Sequence, residues 1–173
     1  MPVTSAANSG TFKVTTPSDL EIRITRVFDA PRAVLYEAFT NPKHVRHWWG
    51  NLGDGYSVPE CEGDLRVGGK WRYVNKTPTG ELATFYGVYR ELTPPERLVF
   101  TEIFEPFPDG ESVVTAVFTE ERGKTLLTLT AKYPSVDVRD MVLKSGMERG
   151  AALSYDRLDE IASELARTSR DRR

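Results

Sequence analysis

Glu102 stands between two aromatic residues in the run Phe100-Thr-Glu-Ile-Phe104. In an extended segment residues two apart share a face, so Phe100, Glu102 and Phe104 point the same way. If that face is the inner one, the carboxyl sits in an apolar cavity. Burial then raises its pKa and makes it a candidate general acid or ligand anchor. The competing arrangement pairs Glu102 with a cation such as Arg72, or leaves it in water. Rings alternate on neighbouring segments as well: Trp71 with Tyr73, and Phe85 with Tyr89 across Gly87.

Other chemistry-bearing residues form weaker sets. His44 and His47 stand three apart and could share a helix face, with Cys61 or Asp54 as a third metal ligand. No second HxxH or CxxC completes such a set, so no metal site is assigned. Glu60, Glu62 and Asp64 surround Cys61. Glycosidases need two carboxylates at a defined separation, but alternating acids also suit a solvent face. Cys61 has no visible base partner and reads as structural. The sequence contains no GxSxG, HExxH, CxxC or phosphate-cradling loop, and Gly68-Gly69 reads as a bulge or bend in a strand. No catalytic residue and no cofactor is assigned.

These side chains must be positioned by strands and one long helix. Leu20–Phe28 alternates with period two and reads as a strand. Pro31 suits the first turn of a short helix, with Asp29 as its cap. A second short helix spans Pro42–Trp49 and breaks at Gly50, and Asn51–Ser57 is a loop. Six strand candidates follow: Val58–Glu62, Asp64–Val74, Phe85–Leu92, Arg97–Phe104, Ser112–Glu120 and Lys124–Tyr133. The separators, among them Pro78-Thr-Gly80, Pro94-Pro95, Pro106–Gly110 and Glu121-Arg-Gly123, are turn-forming, which implies an antiparallel meander. Between Val138 and Leu165 apolar residues recur at steps of three and four, giving one long helix with Gly146 and Gly150 inside it. Those glycines permit close packing on the sheet or leave room for a ligand, and close packing is the simpler expectation. The fold class is α+β: a curved antiparallel sheet, seven-stranded, with a long C-terminal helix across it and two short helices after the first strand.

With 173 residues, the chain suits one domain. Residues 1–17 are expected to be a flexible leader, 18–166 the domain, and 167–173 a flexible basic tail. A net charge of −2 without a Lys/Arg stripe argues against nucleic acid as a partner. One cysteine excludes an intrachain disulfide and suits a reducing, cytoplasmic setting. No run approaches the roughly 20 apolar residues that cross a bilayer, so no membrane span is expected. Exposed sheet edges and the Trp48-Trp49 pair are compatible with a homodimer.

Several motifs stand together in a familiar order: Asp29-Ala-Pro31, Trp48-Trp49-Gly50, Asp64-Leu-Arg-Val-Gly-Gly-Lys-Trp71, Gly87-Val-Tyr89, Pro94-Pro-Glu-Arg-Leu98 and the run from Ser145 to Leu158. With these the chain resembles the AHSA1-like branch of the SRPBCC (START-like, Bet v 1-like) superfamily over roughly Leu20–Leu165. The resemblance implies a helix-grip fold, with the sheet gripping the long helix around a cavity. It also implies ligands such as lipids, sterols, polyketides or hormones, and in some members aromatase or cyclase activity. Many branch members carry Gly-Trp in the final helix where this chain has Gly146-Met147.

The leading expectation is a protein that binds a small hydrophobic molecule between sheet and helix. Its wall is expected to comprise Trp49, Trp71, Tyr73, Phe104, Met147, Ala151 and Tyr155, with Glu102 and Ser154 as polar anchors. The alternatives are a polyketide cyclase or hydrolase-type enzyme using the same cavity, and a module that binds a chaperone ATPase.

Overall fold

The computed structural model describes residues 8–172. A short 3-10 turn, Ser9–Thr11, leads into β1 (Lys13–Thr15) and β2 (Glu21–Phe28). Two helices follow, α1 (Arg32–Thr40) and α2 (Pro42–Trp48). Six strands come next: β3 (Ser57–Gly63), β4 (Lys70–Lys76), β5 (Leu82–Thr93), β6 (Arg97–Phe104), β7 (Phe107–Glu121) and β8 (Lys124–Lys132). Helices α3 (Val136–Lys144) and α4 (Met147–Asp171) complete the chain. All strands join one antiparallel sheet in the order β1-β2-β8-β7-β6-β5-β4-β3. This is the helix-grip architecture.

The sheet has eight strands rather than seven. Residues 13–15, assigned to the leader by sequence, pair with β2 through Lys13–Thr25, Val14–Ile24 and Thr15–Arg23. Three residues are too few to show a period of two. At the other end α4 continues to Asp171, so most of the basic tail is helical; residues 1–7 and 173 of the expected leader and tail lie outside the described residues.

Three local expectations need correction. Asp29 does not cap α1: Pro31 holds the cap position, and the Arg32 amide donates to the Glu120 carboxylate at 2.8 Å. The segment Pro106–Gly110 is not a separator, because β7 begins at Phe107 and pairs it with Phe104. The single long helix is two. Gly146 adopts φ +82°, a left-handed conformation that glycine enters without steric cost, and divides α3 from α4. The apolar spacing runs through the break and hides it.

Much of the core packs under the middle of α4. Leu158 and Ala162 are fully buried there with Phe28, Leu35 and Phe118. Trp48 plugs the same region, its indole N–H donating to the Ala38 carbonyl at 2.9 Å, which ties α2 to α1. The first two turns of α4 carry no buried residue, and the cavity lies beneath them. No described helix is long and apolar enough to cross a membrane.

Candidate functional site

The cavity encloses about 430 Å³ between the sheet, the loop after α2 and the first turns of α4. Trp49, Trp71, Tyr73, Glu102, Met147, Ala151, Ser154 and Tyr155 all line it. Phe104 does not. The β6–β7 register shifts between Glu102 and Phe104, and the Phe104 ring emerges 41% exposed. It packs instead on Phe85, with ring centroids 5.0 Å apart.

A continuous aromatic wall results. Phe100 meets Trp71 edge-on at 5.8 Å, Trp71 meets Tyr73 at 4.8 Å, and Tyr73 meets Trp49 at 5.2 Å. Trp49 contacts Phe85 at 4.8 Å. These separations lie within the range in which ring quadrupoles attract. The Trp71 indole is fixed by its N–H bond to the Thr101 carbonyl at 3.1 Å, which crosses over Gly87. A Cβ on Gly87 would lie 1.8 Å from the Thr101 oxygen and 2.7 Å from the indole nitrogen. Gly87→Ala is therefore expected to destabilise the protein by about 2 kcal/mol, as overpacking against backbone does. Urea unfolding checks this, and an unchanged midpoint would contradict the close approach.

The loop that carries Trp49 is clasped from two sides. The Gly50 amide donates to Ser154 Oγ at 3.1 Å, and the Asn75 amide donates to the Trp49 carbonyl at 3.0 Å. Ser154 Oγ thus holds the loop to α4.

Glu102 is the only Asp, Glu, Lys, Arg or His side chain among the described residues lining the cavity. Among the described residues no cation forms an ion pair with it. Arg72, the partner considered from sequence, bridges Glu60 at 3.1 Å and Glu105 at 2.9 Å instead. Burial pushes the Glu102 carboxyl from its usual 4.5 up to about 7. Burial, reinforced by the charge of Glu102, also holds the Tyr133 and Tyr155 phenols well above their usual range. Tyr73 is raised chiefly by burial, then by Tyr89, with smaller contributions from Cys61 and Glu102.

The weaker sets do not converge. Among the described residues, no three His, Cys, Asp or Glu side chains are grouped to hold a metal ion. His44 lies 3.9 Å from Glu37, and His47 is exposed. The Cys61 thiol is buried, points at the Pro42 carbonyl at 3.6 Å, and is pushed up to about 11, which suppresses the reactive thiolate.

Sequence reasoning did not select Tyr133, Asn75, Leu52 or Tyr56 for the wall. Tyr133 continues the alternation of Leu129 and Ala131 along β8 and could have been found that way. Leu52 and Tyr56 lie in an irregular loop where no period operates.

Residues 29–163 match the family model described as Activator of Hsp90 ATPase homolog 1-like protein. Among solved structures, a Rhodobacter sphaeroides protein is 26% identical with a TM-score of 0.80, over 89% of this chain and 99% of its own. Protein Ms6760 from Mycobacterium smegmatis is 26% identical with a TM-score of 0.74, over 86% and 96%. CalU16 from Micromonospora echinospora is 26% identical with a TM-score of 0.58, over 93% and 90%. No curated protein matches the chain.

Proposed function

The chain belongs to the Activator of Hsp90 ATPase homolog 1-like family, and from that premise we propose that it binds a small, mainly apolar molecule in the cavity between the sheet and α4. The observation that carries this reading is the cavity itself. Its volume of about 430 Å³ falls within the usual ~300–1,000 Å³ of small-molecule sites, and its wall is dominated by rings and aliphatic side chains. Gly150 supports the same reading. Close packing was the simpler expectation for this helical glycine, yet a Cβ there would meet nothing within 4 Å. Gly150 also lines the cavity.

Filling that space supplies a test. Gly150→Phe is expected to fold normally, because glycine is a poor residue inside a helix, and to lose uptake of apolar compounds. Native mass spectrometry of wild type from its own host is expected to show a bound species that is released on denaturation and absent from Gly150→Phe. Empty wild-type protein that also leaves both neutral and amine-bearing apolar compounds unbound in calorimetry would overturn the reading.

An enzymatic reading rests on Glu102, an acid without a cationic partner and with a pKa near neutrality. The cavity would then hold a substrate whose proton transfer Glu102 mediates. Turnover abolished in Glu102→Gln with binding retained would favour it over simple binding.

A further inference from the structure

The cavity wall combines an unpaired carboxyl with aromatic rings, and that combination selects among possible occupants. No Lys, Arg or His is among the described residues lining the space. A neutral apolar occupant would strip water from Glu102 and leave it without a partner, which is unfavourable. An anionic occupant would add repulsion to that loss. A cation would instead meet a carboxylate and the neutral phenol oxygens of Tyr73, Tyr133 and Tyr155, which attract it more strongly where water is scarce.

We propose that the cavity takes a hydrophobic amine, an aromatic or alicyclic skeleton bearing one protonated nitrogen, whose ammonium group pairs with Glu102 beside Trp71, Tyr73, Tyr133 and Tyr155. This rests on the small-molecule reading of the cavity and assigns the chemical class of its occupant. Several placements support it. Glu102 lies on β6 with its charge acting on the hydroxyls of Tyr73 from β4, Tyr133 from the end of β8 and Tyr155 from α4. Those phenols are all held above their usual range, so they stay neutral through the physiological range and leave Glu102 as the group that titrates. Trp71 and Tyr155 are 3% and 6% exposed, so this part of the wall is enclosed. The partly exposed Leu52 and Thr77 lie on the loop after α2 and the β4–β5 turn.

The test uses three probes that differ in one group: 2-(2-naphthyl)ethylamine, the matching alcohol and the matching carboxylic acid. Calorimetry with the full chain at pH 8 is expected to rank amine above alcohol by about tenfold or more, with the acid weakest. The amine preference is expected to shrink as pH falls through about 7, by about tenfold per unit, since the ammonium must then displace a proton from Glu102. Glu102→Gln, close in shape and uncharged, is expected to bind amine and alcohol alike. Equal affinities for amine and alcohol in wild type, or an amine preference that survives in Glu102→Gln, would overturn the amine assignment and leave the cavity reading standing. If none of the three binds, both fall.

Discussion

Replacing Asp159 by alanine is expected to cost the fold about 3–5 kcal/mol, the range for breaking a buried ion pair from one side. Arg26 is fully buried on the inward face of β2, the register position between Ile24 and Phe28. Its guanidinium reaches two carboxylates on α4, Asp156 at 2.7 Å and Asp159 at 3.3 Å, and lies 4.8 Å from the centre of the Phe28 ring. Asp159 is 1% exposed and also accepts the Asp29 amide at 2.8 Å. Its loss therefore takes one of two carboxylates from a buried cation and removes the acceptor for a backbone donor at the turn into α1. Asp156→Ala should cost less, about 1 kcal/mol, because that carboxylate is 30% exposed and water can take its place. Urea unfolding of the two variants checks the contrast, and equal losses would contradict it. Arg26→Met combined with Asp159→Leu should recover part of the loss, since the buried cation and its buried carboxylate go together and the remaining Asp156, 30% exposed, is hydrated.

The same cluster illustrates what was legible in the sequence. The alternation of Ile22, Ile24 and Phe28 identified β2, and the same period places Arg26 inward, yet an apolar pattern passes over a charged member. Its partners Asp156 and Asp159 stand three apart on α4, on the face that carries buried Tyr155, Leu158 and Ala162. A buried charge is visible in a sequence only once its partner is known, and this partner lies 130 residues away. The strands from β3 to β8 and most of the aromatic wall were legible because alternation is a strong local signal, whereas the pairing of β2 with β8 is a long-range contact that alternation does not show. Phe104 was misplaced because that signal assumes an unbroken register, and β6 shifts against β7 just before it. The break at Gly146 escaped because the apolar period continues across it. The environment of Glu102 depended on which face of β6 turned inward and on where Arg72 found its acids. Both are tertiary facts, and they remove the Arg72 pair, one of the arrangements the sequence leaves open.

Glu102→Gln is expected to stabilise the empty protein by about 3 kcal/mol at pH 8 and by little at pH 4, since a tenfold change in proton affinity corresponds to about 1.4 kcal/mol. The carboxyl moves from its usual 4.5 to about 7 on folding because burial disfavours its charge. Between those values the native state holds a proton that the unfolded chain has released, so wild-type stability falls as pH rises through this window. Above about 7 the carboxyl is ionised in both states and the full cost is present. Glutamine does not titrate, so the gap between the proteins should open from pH 4.5 to 7 and then stay level. Urea unfolding across the range from about pH 4 to 8 measures it, and a gap independent of pH would show that the carboxyl is solvated in the native state. The dependence also separates a site from a packing defect. A bound hydrophobic amine should raise the wild-type midpoint more than that of Glu102→Gln at about pH 8, because the charge that weakens the empty fold is the one that an ammonium neutralises.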